Sequence, residues 1–216
     1  PCLDVNAGCT GFLYAMDVAD AMLNMDKYSR VLIICAERIS RMADWTDRST
    51  CVLFGDAAGA AVCERGDRLK TVRLTAEGKA GPLHAWPGGG NCPFDDRIPE
   101  ERPLYMNGQE IFKFAVTRSL RDIQAVMDGC GITADAVDFY VLHQANRRIL
   151  DAVRDRLKQL AEKFPLNITD HGNTSSACIP VLLSEMEEDG RLQKGQTLVL
   201  SAFGAGLTTG AAVLQY

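Results

Sequence analysis

The 216 residues contain no Cys-x-x-Cys pair, no excess of positive charge and no long apolar run. Each absence excludes something. Without closely spaced cysteine or histidine ligands, and with only three histidines, no metal centre is expected. A net charge of −5 argues against generic nucleic-acid binding. Apolar runs such as "VLIICA" at 31–36 are far short of the roughly 20 residues that span a bilayer, so no membrane insertion is expected. The first residues lack a basic start followed by an apolar stretch. There is no low-complexity tract and no short-period repeat.

What is present is a globular balance, 47% hydrophobic and 24% charged, with enough chain for one large domain or two small ones. The eight cysteines, at 2, 9, 35, 51, 63, 92, 130 and 178, lie mostly among apolar and small residues, as in "LIICAE" and "GAAVCE". They read as reduced, buried thiols, which implies a cytoplasmic protein. The chain opens with Pro1 on what reads as a core strand, "CLDV". A core strand needs a neighbour to pair with, so the piece is expected to derive from a longer or divided chain.

The pattern alternates between strands and helices. "TGFLYAMDVADAMLNM" is apolar on nearly every side and predicts a buried helix. "RVLIICAE" predicts a buried strand, and "GDAAGAAVCER" and "LKTVRLTAEG" predict two more. Residues 79–104, rich in proline and carrying "PGGG", predict a long irregular segment of the kind that serves as a lid or binding loop. A long helix is expected over 107–131, a strand at 138–142 followed by a turn and helix, a turn into a helix over 171–190, and two strands around a glycine turn over 196–216. This order predicts an α/β fold whose sheet is covered on both faces.

Two segments, "LDVNAGCTGF" and "YVLHQANRRI", run strand, tight turn, helix, and "HGNTSSA" does so more loosely. Such corners gather functional groups in α/β folds. Cys9, between Gly8 and Gly11, is placed like the residue of a nucleophile elbow, where a helix N-terminus would lower a thiol pKa. It could equally be a structural cysteine in a buried helix. His143 could be a hydrogen-bonded loop histidine, and Asn173 a turn or cap residue. Thr174 and Ser175 could do the capping and leave Asn173 free to face a pocket. Together, Cys, His and Asn on three corners point to nucleophilic acyl chemistry with donors for an oxyanion. The Cys-Gly-Ser-Cys-aromatic run of papain-type hydrolases is absent.

The segments "NAGCTGF", "DRSTCVLFGDAAGAAV", "MNGQEIFKFAV", "HQANRRIL", "HGNTSSACIP" and "FGAGLTTGAAV" together resemble β-ketoacyl-acyl-carrier-protein synthase III, the initiating condensing enzyme of bacterial fatty-acid synthesis. The resemblance runs over essentially the whole chain. It implies a thiolase-like fold, layered α-β-α-β-α from two related halves, the first incomplete here. Residues 1–70 would be the remainder of the N-terminal half and 71–216 the C-terminal half. About a third of a typical family chain, taking length as a soft guide, would precede Pro1.

The resemblance further implies that Cys9 accepts the acyl group of a starter acyl-CoA. His143 and Asn173 would assist decarboxylation of malonyl-acyl-carrier protein and the condensation. The backbone N–H groups of Cys9 and Ala205 would form an oxyanion hole, Ala205 standing where the family often has glycine. Arg48 matches an arginine that contacts the CoA nucleotide and Phe112 an aromatic of the pantetheine tunnel, with Ala145 and Asn146 bordering the arm. Gln109 replaces a frequent asparagine. No permanently bound cofactor is implied. A homodimer is, and a separate N-terminal polypeptide would restore the site. Carrier proteins are acidic, so docking needs a local basic patch, for which Lys113, Arg148 and Arg156 are the candidates. Elongating synthases use two histidines, thiolases add a second cysteine in the C-terminal glycine turn, and plant-type polyketide synthases carry a glycine-proline turn there, none of which matches. A condensing enzyme of secondary metabolism and a non-catalytic acyl-binding fragment are the alternatives.

Overall fold

The computed structural model describes residues 1–25, 27–85 and 104–216. Most of the irregular segment expected over 79–104, and Cys92 with it, lies outside these residues.

The described chain builds helices and strands in the expected alternation. Helix α1 (Gly11–Asn24) precedes strand β1 (Arg30–Arg38), and β2 (Asp56–Glu64) pairs with β1 antiparallel along its full length. Strand β3 (Leu69–Ala76) follows, then a short pair, β4 (Leu83–His84) with β5 (Tyr105–Met106). The long α2 (Gly108–Cys130) starts where the Asn107 side chain accepts the Glu110 N–H and stops at left-handed Gly131. Strand β6 (Phe139–Leu142), α3 (Arg147–Leu157), the short α4 (Ile168–His171), α5 (Cys178–Glu188), and the hairpin of β7 (Thr197–Gly204) with β8 (Thr208–Gln215) complete the fold. The second sheet has the order β3-β8-β7-β6, with only β6 and β7 parallel.

The sheets and helices stack in layers. Helices α1 and α5 lie between the two sheets, and Leu13, Met16, Ile33, Leu182, Leu198 and Leu200 meet there. Helices α2 and α3 cover the opposite face of the four-stranded sheet, packing Ile123, Leu150 and Val153 on Tyr140, Val199 and Val213. The four-stranded sheet is therefore buried on both faces, as expected for an α/β core. The two-stranded sheet is not. Leu32, Ile34 and Val62 on its outer face are 59, 64 and 66% exposed.

Two expectations about the first residues need correction. Residues 2–5 form no strand and are largely exposed, because they pair with no described strand. Helix α1 is buried along one face, by Phe12, Leu13, Met16, Ala19 and Leu23, rather than on nearly every side. Asp17 and Ala21 are exposed because both described sheets reach the helix from the other side.

Candidate active site

Cys9 lies in a single 3-10 turn, Gly8–Thr10, that runs directly into α1. Gly8 makes the corner with φ +54°, where a side chain would be strained, and a Cβ there would come within 3.2 Å of the Ala205 nitrogen. Gly204, ending β7, comes so near that a Cβ on it would lie 2.7 Å from the Cys9 nitrogen. A hydroxyl pair, Thr10 Oγ1 with Thr208 Oγ1 at 2.7 Å, fastens the same contact. The nucleophile corner and the C-terminal glycine turn are thus locked together at backbone distance. Neither Cys9 nor Ala205 donates its N–H to another described element, so both remain available to a ligand.

The thiol is not activated in the way the corner predicts. Burial pushes Cys9 up to about 11, and the Glu37 carboxylate raises it further, while the Ser175 side chain and the cysteine's own N–H pull it down. Burial is the largest of these influences and outweighs the two hydrogen bonds that favour the thiolate.

His143 follows β6 and continues its alignment, its N–H donating to the Ser201 carbonyl at 2.8 Å. The ring is buried. Phe203 meets it edge-on, with centroids 5.2 Å apart, and its Nδ1 lies 2.8 Å from the Cys178 sulfur. Burial lowers its pKa to about 3, so the imidazole is neutral at physiological pH.

Asn173 ties its loop to the segment at 53–55. Its N–H donates to the Leu53 carbonyl at 2.7 Å, and its own carbonyl accepts from Gly55 N–H at 3.0 Å. Its side-chain oxygen accepts the Ser175 N–H at 2.9 Å. That bond leaves the amide NH2 as the free end, a donor without a described partner. Capping therefore falls to Asn173 itself, since Thr174 makes no side-chain cap bond. The expectation that Thr174 and Ser175 would release Asn173 from that duty was wrong in detail: one end of the amide caps while the other faces the cavity. Ser175 sits at φ +53°, a strained conformation for a non-glycine, next to Cys9.

Cys9, His143, Asn173 and Ala205 all line one cavity of about 630 Å³, whose other walls are mainly apolar. Phe112, Ala145, Asn146, Gln109 and Arg148 line it too. Asn146 also caps α3, accepting the Arg148 N–H at 2.9 Å. Arg48 is exposed and lies outside the lining, although its neighbour Ser49 contributes to it. On α3, Arg147 and Arg154 are tied to Asp151, and Arg154 also to Asp155. Arg148, Arg156 and Lys113 are exposed and form no ion pair among the described residues. Among those residues no group of three or more His, Cys, Asp or Glu side chains could hold a metal ion, and no helix is long and apolar enough to cross a membrane.

Sequence reasoning passed over Cys178, Phe203 and Glu37. The first two lie inside motifs it had singled out, "HGNTSSACIP" and "FGAGLTTGAAV", but nothing in the pattern tells which of their side chains meets His143. Glu37 holds the Asn173 loop from across the sheets, accepting from both the N–H and hydroxyl of Ser176, at 3.1 and 2.5 Å.

The chain is similar to known proteins over almost its full length. The family model of 3-oxoacyl-[acyl-carrier-protein] synthase III matches residues 3–78, and that of the C terminal of the same synthase matches residues 127–216. β-Ketoacyl-[acyl-carrier-protein] synthase III of Synechococcus sp. (strain WH7803) is 43% identical across 99% of this chain and 65% of its own length. The same synthase of Rhizorhabdus wittichii is 44% identical across 99% of this chain and 66% of its own. The crystal structure of 3-oxoacyl-[acyl-carrier-protein] synthase III from Aquifex aeolicus superposes with a TM-score of 0.89 at 38% identity, covering 99% of this chain and 67% of that one. The chain thus spans just under two thirds of the length of these two curated relatives. The architecture is the α/β thiolase-like fold of these structures.

Proposed function

The chain belongs to the 3-oxoacyl-[acyl-carrier-protein] synthase III family, and from that we propose that it carries the catalytic residues of a condensing enzyme. The reaction joins a starter acyl-CoA to malonyl-acyl-carrier protein, with loss of carbon dioxide, and gives a β-ketoacyl-acyl-carrier protein that starts fatty-acid synthesis. The observation that carries this reading is the convergence of Cys9, His143, Asn173 and the Ala205 N–H on one mostly apolar cavity.

In the first half-reaction the Cys9 sulfur attacks the thioester carbonyl of the acyl-CoA. The new S–C bond replaces the bond to CoA, whose departing sulfur takes the thiol proton. The Cys9 and Ala205 N–H groups receive the oxyanion. In the second, the malonyl carboxylate leaves as carbon dioxide and its bonding electrons form an enolate. The enolate oxygen accepts hydrogen bonds from the His143 ring and the Asn173 amide. Both donors are neutral, His143 because burial holds its pKa at about 3, so neither holds back the carboxylate that must depart. The enolate carbon then attacks the acyl group, and Cys9 leaves and regains a proton.

Phe112, Ala145 and Asn146 would flank the pantetheine arm, with Arg48 outside the cavity as a contact for the nucleotide. Arg148, Arg156 and Lys113 would dock the acidic carrier protein, which suits their lack of acidic partners among the described residues. The reading carries no permanent cofactor and a cytoplasmic setting. It takes a second copy of the chain and an N-terminal polypeptide as partners, with a boundary between the halves near residue 70.

Separating the half-reactions tests the proposal. With the N-terminal polypeptide supplied, radiolabelled acetyl-CoA should label this chain and not Cys9→Ala. His143→Ala and Asn173→Ala should still be labelled but lose decarboxylation by about 100-fold or more. No label on the native chain under those conditions would defeat the enzyme reading in favour of an acyl-binding module.

A further inference from the structure

Cys178 is a buried thiol that the mechanism above does not use. It opens α5, behind His143, and it does not line the cavity. Its sulfur lies 2.8 Å from Nδ1 of His143. The other ring nitrogen, Nε2, makes no hydrogen bond among the described residues, and His143 faces the cavity. A neutral imidazole has one N–H donor and one bare acceptor nitrogen, and the partner on one side decides which is which.

We propose that Cys178 is a positioning residue: its S–H donates to Nδ1 of His143 and so fixes the tautomer that carries its proton on Nε2, towards the cavity. Two further features support the direction of that bond. Among the described residues the Cys178 side chain has one hydrogen-bond partner, Nδ1 of His143, so that nitrogen is the acceptor its S–H has. Burial raises the Cys178 thiol well above its ordinary value, which keeps it protonated, while burial keeps His143 neutral. The edge-on Phe203 ring packs against the imidazole and restrains its rotation. The consequence rests on the proposed condensing reaction: an Nε2–H is the group an enolate oxygen needs, and an Nε2 lone pair would repel it.

The test reads the tautomer itself. Nitrogen-15 NMR of the full chain, labelled on histidine, should show His143 with Nε2 protonated and Nδ1 bare at neutral pH. Cys178→Ser keeps a donor and should keep that pattern. Cys178→Ala, and Cys178→Val, which fills the space without a donor, should give a mixture of tautomers. In the same variants the decarboxylation kcat should fall about five-fold, the loss of one ordinary hydrogen bond. KM for acetyl-CoA and acetyl loading of Cys9 should hold, and Cys178→Ser should recover the rate. A proton on Nδ1 in the native chain, or an unchanged tautomer in both donor-free variants, would overturn the proposal. If the tautomer shifts as expected in a chain that shows no condensation at all, the positioning role stands and the condensing reading is what fails.

Discussion

The four-stranded sheet that leads to His143 and the two-stranded sheet are built to unlike standards. Strand β7 of the four-stranded sheet is buried at nearly every position, whereas β1 of the two-stranded sheet alternates, with only Ile33 and Cys35 buried within it. Helices cover the first sheet on both faces and the second on one. His143, which continues β6, therefore sits in a packed wall. The Cys9 turn takes its position from that wall, through the Gly204 contact and the Thr10–Thr208 pair. Any reaction at Cys9 that needs placement within a fraction of an ångström therefore depends on β7 and β8.

The contrast is sharpest in stability. Leu200→Ala, in the middle of β7 and fully buried, should cost about 2–5 kcal/mol in urea unfolding. Ile34→Ala, at 64% exposure on the outer face of β1, should fall within about 0.5 kcal/mol. A comparable loss at Ile34 would break the contrast, because it would mean that this face is covered in solution.

The dependence of Cys9 on the four-stranded sheet is tested at Gly204. An alanine there drives a methyl group into the Cys9 backbone. Acetyl loading of Cys9 should drop on the order of 100-fold, as for a displacement of about 1 Å, while circular dichroism remains native. Loading at the native rate would show that Cys9 holds its own place.

Acid separates the halves by a smaller effect. The His143 pKa is lowered from 6.5 to about 3 in the folded chain, so the unfolded chain binds the extra proton between those values. Its contribution to stability is complete above pH 6.5 and is lost as pH falls from there towards 3. The difference in unfolding free energy between the native chain and His143→Gln should thus shrink from pH 7 to pH 4. A difference constant with pH would contradict a buried neutral histidine.

The smallest expected effect is at Glu37, whose charge opposes a thiolate at Cys9. Glu37→Gln should move the alkylation midpoint of Cys9 down from about 11. A midpoint that stays or rises would show that the carboxylate acts only through Ser176.

Much of this was legible in the sequence. The strand at 138–142 with the turn and helix after it, and the glycine-ended helix, follow from local rules of periodicity, capping and turns, whereas no strand precedes the Cys9 turn and a short helix precedes Asn173. What was illegible depended on packing between distant segments. Alternation cannot say that a helix as apolar as α1 is covered on only one side. Spacing cannot say that the Cys9 sulfur is desolvated. Nor can it say that Cys178, Phe203 and His143 meet, since the three come from three different elements.

The central claim is that Cys9 is the acyl carrier and that the donors across the cavity act on a second substrate. Intact-protein and peptide mass spectrometry, with the N-terminal polypeptide supplied, tests it most directly. After acetyl-CoA is added, one acetyl group should appear on the peptide containing Cys9, and it should disappear as β-ketoacyl-carrier protein forms on addition of malonyl-carrier protein. An acetyl group on any other cysteine, or one on Cys9 that malonyl-carrier protein never consumes, would contradict the account.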